Sequence, residues 1–154
     1  MIQEILETIP HRPPFLFVDD IVALRDDGAT CARTFRDDEF FYAGHYPANP
    51  LTPGVLLCEA VFQAGAVFLV RKIVTDATAG DVPVLCRIEE AKFKGMVFPG
   101  DTVMIDVTLR EKMQGFFFMS GKVSRAGRTM LTLRFALALV AREKAATSNF
   151  SASR

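Results

Sequence analysis

The run from Val55 to Val70, VLLCEAVFQAGAVFLV, is sixteen residues long and carries only two strongly polar side chains, Glu59 and Gln63. Wound as a helix, it shows apolar residues at every angle: Leu56, Leu57, Val61, Phe62, Val67, Phe68 and Leu69. A helix that is hydrophobic all round has to be enclosed on most of its circumference. This one is a little short for a membrane span and holds a carboxyl group. Its expected place is the centre of a folded domain, so the rest of the chain must wrap it.

Thr52 is the expected N-cap of this helix, with Pro53 at its first position, where a missing N–H does no harm. Arg71 and Lys72 near its end suit the negative pole of the helix dipole. A short helix is expected at Ile2–Thr8. Strands follow at Phe15–Leu24 and Ala29–Phe35, joined by the turn RDDG, and residues 36–52 form a loop. Beyond a second loop holding Gly80 and Pro83 come four strand-like runs: Val84–Phe93, Asp101–Lys112, Phe116–Arg125 and Arg128–Val140. Their short connections allow antiparallel neighbours and leave no room for crossover helices. The expected class is therefore α+β, one long central helix against an antiparallel sheet of about six strands. A chain of 154 residues is economically one domain. We place that domain at 1–142 and expect a disordered polar tail over 143–154.

Composition narrows the function. Lys plus Arg and Asp plus Glu each number 18, so the net charge is zero. Binding of nucleic acid through phosphate neutralisation is disfavoured. Cys31, Cys58 and Cys86 have no C-x-x-C spacing and read as reduced thiols rather than a disulfide frame or metal site. The first residues carry Glu4 and Glu7 ahead of any basic side chain, unlike a signal peptide. A cytoplasmic protein without a membrane span is the expectation.

Chemistry concentrates between Gly44 and Gln63, GHYPANPLTPGVLLCEAVFQ. The amides of Gly54 and Val55 fall in the first helical turn, where N–H groups lack intrahelical acceptors and carry the positive end of the dipole. With no side chain on Gly54, a carbonyl oxygen can approach closely. The bland reading is an ordinary Thr-Pro-Gly helix start. Glu59 and Gln63, four apart, share a helical face among Leu, Val, Ala and Phe. A carboxyl in such surroundings stays protonated toward neutral pH and can donate to a leaving hydroxyl, with Gln63 holding it or a substrate oxygen. Its bland alternative is a glutamate turned to solvent or paired with a cation. His45, in a loop stiffened by Pro47 and Pro50, is a natural base near neutral pH. A base, an oxyanion site and an acid together are what β-elimination of water from a 3-hydroxyacyl thioester requires.

The same stretch resembles the FabZ-type 3-hydroxyacyl-[acyl-carrier-protein] dehydratases, whose signature is close to G-H-F-P-x-N-P-x-x-P-G-V followed by L-x-E-A-x-x-Q. Here Gly44-His45-Tyr46-Pro47-Ala48-Asn49-Pro50-Leu51-Thr52-Pro53-Gly54-Val55 is followed by Glu59-Ala60 and Gln63. IPHRPPFLFVD at 9–19 and AKFKGMVFPGD at 91–101 are similar to two further family segments. The resemblance implies a hot-dog fold, a central helix wrapped by antiparallel sheet. It implies a dimer-based assembly, often a trimer of dimers, with each site shared between subunits. His45 would be the catalytic histidine, Glu59 the catalytic acid, Gly54 a thioester-binding amide and Gln63 a supporting residue. Val55 and Tyr46 complete the expected substrate-binding set. No cofactor or metal is implied, and the substrate would arrive on an acyl carrier protein.

Ala48, Tyr46, Thr52 and Pro13 depart from the family's usual Gly, Phe, Met and Tyr, and none of these changes removes a reacting group. Related dehydratase–isomerases carry Asp where Glu59 stands, which disfavours isomerase activity. His11 matches a family position and reads as structural. Cys58 reads as a small core residue, and Arg87, Lys92 and Lys94 as a solvated strand face. Phe62, Met96, Phe98 and Phe116–Phe118 are candidates to line an acyl tunnel, against a plain core role. Two alternatives stand beside the dehydratase: a hot-dog acyl thioesterase using Glu59 to activate water, and a catalytically silent acyl-binding subunit.

Overall fold

The computed structural model describes residues 1–142; the expected tail at 143–154 lies outside the described residues. Its elements are α1 (Ile2–Thr8), β1 (Asp20–Leu24), β2 (Gly28–Thr34), α2 (Gly54–Phe68), β3 (Asp81–Phe93), β4 (Thr102–Met113), β5 (Phe116–Arg125) and β6 (Arg128–Ala141). The six strands form one antiparallel sheet in the order β1-β2-β4-β5-β6-β3. The sheet folds around α2, giving the expected hot-dog arrangement.

Alternation decides which face meets the helix. Val103, Ile105 and Val107 of β4 are buried, as are Phe117, Met119 and Val123 of β5 and Leu131, Leu133, Phe135 and Leu137 of β6. From Leu57 to Phe68 only Glu59 escapes the buried class, so α2 is enclosed as its sequence demands. Helix and sheet touch closely at Gly121. A Cβ there would lie 2.3 Å from Val61 Cγ1, so any larger residue would push the helix off the sheet. The helical stretch Gly54–Ile73, twenty residues long, is apolar enough to cross a membrane by length and composition. Its enclosure by the sheet makes it the core helix of the domain.

Four local expectations are corrected. The first strand starts at Asp20 rather than Phe15, because the backbone of Phe15 and Phe17 bonds to the side chain of Gln63. The central helix does not stay α-helical to Val70. At Leu69–Ile73 it widens into a π turn that closes with Val74 N–H donating to Leu69 C=O. Thr52 is not the N-cap; Pro53 occupies that position and no side chain caps the helix. The Thr52 hydroxyl instead shares a 2.6 Å hydrogen bond with Tyr42, and its N–H donates to Val97 C=O. Finally, β3 begins at Asp81 and includes Pro83, which an edge strand tolerates.

Among the aromatic tunnel candidates the structure divides sharply. Phe62 and Phe117 are buried against the core, and Phe62 packs on Phe135 at 5.3 Å between ring centroids. Phe116 and Phe118 point from the outer face of the sheet, away from α2, where Arg87 lies over the Phe118 ring. Met96 and Phe98 are exposed.

Candidate active site

The loop before α2 is anchored from several sides. Arg33, on β2, pairs with Asp19 at 2.8 Å and with Glu39, while its guanidinium lies over Phe17 and Phe35. Tyr42 and Thr52 tie the start of the loop to its end. Between these anchors His45 Nδ1 donates to Leu51 C=O at 2.7 Å, because a carbonyl can only accept. That bond places the hydrogen of a neutral ring on Nδ1 and leaves Nε2 with its lone pair, the form of a base. The exposed Tyr46 ring stands edge-on to His45, with centroids 4.8 Å apart.

At the helix start, Gly54 and Val55 present N–H groups with no backbone or side-chain acceptor among the described residues. The missing Thr52 cap is therefore informative: its hydroxyl is engaged elsewhere and the first-turn donors stay open. The Phe93 ring covers Gly54 so closely that a Cβ would meet ring carbon at 2.7 Å. Open donors beside an apolar ring suit an oxygen bearing negative charge.

Glu59 lies on the same helix, about 7–8 Å further along its axis. Burial pushes its carboxyl above the ordinary carboxylate range, and the bond from Gln63 opposes that only in part. Gln63 is fully buried and completely engaged. Its Oε1 accepts from Phe17 N–H at 2.8 Å, while Nε2 donates to Phe15 C=O at 3.1 Å and to Glu59 Oε1 at 3.0 Å. Gln63 thus joins the segment before β1 to α2 and orients Glu59.

Within one chain, the imidazole beside Glu59 belongs to His11, whose Nε2 is 3.6 Å from Glu59 Oε1. His45 makes no hydrogen bond or ion pair with Glu59. The structure brings Gly54, Val55, Glu59 and Gln63 together on α2 and leaves His45 and Tyr46 on the adjoining loop. His11, read from sequence as structural, was the missed neighbour. Its signal lay in IPHRPPFLFVD, where a second histidine is set between prolines in a segment that is also similar to the family pattern. Cys58 is no competing nucleophile, since burial raises its thiol, as it does Cys86, and pushes Cys31 up to about 12. Among the described residues no three His, Cys, Asp or Glu side chains converge as metal ligands would.

Residues 9–134 match the FabA-like domain family. A 3-hydroxyacyl-[acyl-carrier-protein] dehydratase FabZ of Clostridium perfringens is 33% identical over 138 residues, covering 86% of this chain and 97% of the relative. The chain belongs to the FabZ dehydratase family. The FabZ of Chloroflexus aggregans is 41% identical over 115 residues, 74% of this chain and 78% of the relative. Among solved structures, the dehydratase heterocomplex ApeI:P from Xenorhabdus doucetiae aligns with a TM-score of 0.76 at 17% identity, covering 92% of this chain and 94% of that one. At that identity the likeness speaks for the fold, which is the hot-dog fold of this family.

Proposed function

We propose that this FabZ-family chain removes water from a (3R)-3-hydroxyacyl thioester borne on acyl carrier protein, giving the trans-2-enoyl thioester of fatty-acid synthesis. The observation that carries the reading is a half-buried carboxyl, raised above the ordinary carboxylate range by burial and oriented by Gln63, one helical turn and a half beyond two open amide donors. In this reading the thioester oxygen sits on the N–H groups of Gly54 and Val55, which stabilise negative charge as it develops there. His45 Nε2 takes the α-proton, and the C–H electron pair forms the new α–β double bond. The β-hydroxyl leaves with its bonding pair and the Glu59 proton, as water. Imidazolium and carboxylate then return to their starting forms by net proton transfer, so no cofactor or metal is consumed. Tyr46 lies at the rim beside His45, positioned to meet the substrate.

A single chain does not join His45 to Glu59, so we place the working site between two copies. The outer edge of β3 has no strand partner among the described residues. Ile88, Phe93 and Val55 are exposed around it, 52%, 54% and 72% respectively. An unpaired edge with apolar neighbours invites a second copy. Pairing there sets His45 of one protomer toward Glu59 of the other, in a homodimer that can build a trimer of dimers. The cytoplasm is the compartment in which we place it.

The test is product analysis on carrier-bound substrates. A 3-hydroxyacyl thioester should yield enoyl thioester without free thiol, and a saturated acyl thioester should be left intact. Thiol release from both, with no enoyl product, would identify a thioesterase. Carrier binding without turnover would identify a silent subunit.

A further inference from the structure

The fold treats the two carboxyl oxygens of Glu59 differently. Oε1 accepts from Gln63 Nε2 and faces His11 Nε2, whereas Oε2 has no partner among the described residues. We infer that His11 is a positioning residue for the acid: as a neutral imidazole with its hydrogen on Nε2, it aims a second N–H at Oε1, which makes Oε1 the carbonyl oxygen and keeps the transferable proton on Oε2. The consequence for turnover rests on the dehydratase reading, but the placement of the hydrogen does not.

The tautomer follows from burial. His11 Nδ1 is buried without a hydrogen-bond partner. A buried N–H with nothing to donate to is rarer and costlier than an unused lone pair, so the hydrogen belongs on Nε2, where an oxygen awaits it. At 3.6 Å the contact is dipolar rather than a formed hydrogen bond. A side-chain shift of roughly half an ångström would bring it into hydrogen-bond range.

Nor is the backbone beneath His11 free to move. Arg12 Nη1 donates to the carbonyls of Ile9 and His11, and Nη2 to that of Leu6, which locks the chain at the end of α1. Gln63 holds the same segment from the other side through Phe15 and Phe17.

The charge state agrees with this geometry. Burial and the Arg12 guanidinium hold His11 below the ordinary imidazole range, while burial raises Glu59. Both directions favour the uncharged forms over an ion pair. An imidazolium at this place would draw Glu59 into its carboxylate form and remove the proton that the leaving hydroxyl needs.

The chain has two histidines, so long-range proton–nitrogen correlation spectra of the full-length protein can assign both rings. At neutral pH His11 should be uncharged with its hydrogen on Nε2; an Nδ1–H tautomer, or an imidazolium, overturns the inference. His11→Phe keeps a ring without the N–H and should lower kcat about 10-fold, the worth of one hydrogen bond, with KM nearly unchanged. His11→Gln, whose amide can supply the N–H, should recover most of that loss. Wild-type kcat in His11→Phe, or no recovery in His11→Gln, also overturns it. Should His11→Phe fail to fold, His11→Gln with a loss as deep as that of Glu59→Gln would do the same. An inactive wild-type enzyme would sink the dehydratase reading instead, and the tautomer would still decide where His11 aims its hydrogen.

Discussion

His45 and His11 both lie in proline-bearing segments, His11 between Pro10 and Pro13 and His45 ahead of Pro47, yet the fold holds their rings by opposite means. The His45 ring is fixed locally, by a bond to a carbonyl six residues away, and its second nitrogen is left free. His11 has no bond to its buried nitrogen, and its ring is placed by long-range packing that ends on Glu59. A group that must change its protonation state benefits from one satisfied nitrogen and one open one. A group that only has to present a fixed dipole benefits from burial, which resists charging. Two proline-bearing segments thus produce two different kinds of histidine, and the difference lies in what each segment packs against.

The largest effects should come from the reacting groups. Glu59→Gln keeps the shape and loses the proton, and His45→Ala loses the base. Each should reduce dehydration by roughly 10²–10⁴-fold in steady-state assays, with the oligomer intact by light scattering. Near-normal turnover in Glu59→Gln would remove Glu59 from its role. Precipitation of His45→Ala would instead mark His45 as structural.

Mixing these two inactive variants sharpens the contrast between the histidines, because the proposal gives His45 to the partner's site and His11 to its own. After co-refolding, half of randomly paired dimers are mixed and each holds one intact site. About a quarter of wild-type activity should return. A mixture that stays dead, with heterodimers demonstrated by mass spectrometry, would put both groups in one chain.

Stability should separate the two segments as well. Gln63→Leu leaves the buried Phe17 N–H without its acceptor and should cost about 1–3 kcal/mol in urea unfolding. Tyr42→Phe removes one buried hydroxyl bond from the His45 loop and should cost about 1 kcal/mol. Equal losses would mean that the two segments are held with equal strength.

The smallest effect concerns pH. Because the folded state raises Glu59 above its unfolded value, it favours the protonated form. The destabilisation from this group is absent below the unfolded pKa, grows as pH rises through the folded one, and is complete above it. Glu59→Gln should therefore gain stability relative to wild type in mildly alkaline buffer and not in acid. Denaturant midpoints measured across pH would check the sign, and an advantage confined to acid would refute it.

A reader of the sequence could find the architecture and most of the site because both depend on short-range order. An all-round apolar helix dictates its own enclosure, alternating strands dictate which face encloses it, and Glu59 with Gln63 share a helical face at any tertiary placement. Thr52 illustrates the limit. Its local pattern favours an N-cap, but Tyr42 and Val97, distant in sequence, compete for its hydroxyl and amide, and that competition leaves Gly54 and Val55 open. Phe116 and Phe118 went to the outer face through strand register, which composition does not encode. Glu59 meets His11 rather than His45 within the chain because Gln63 and Arg12 fasten the N-terminal segment along α2. Periodicity specified what had to be buried; only long-range hydrogen bonding decided which polar atoms were left unpaired beside Glu59.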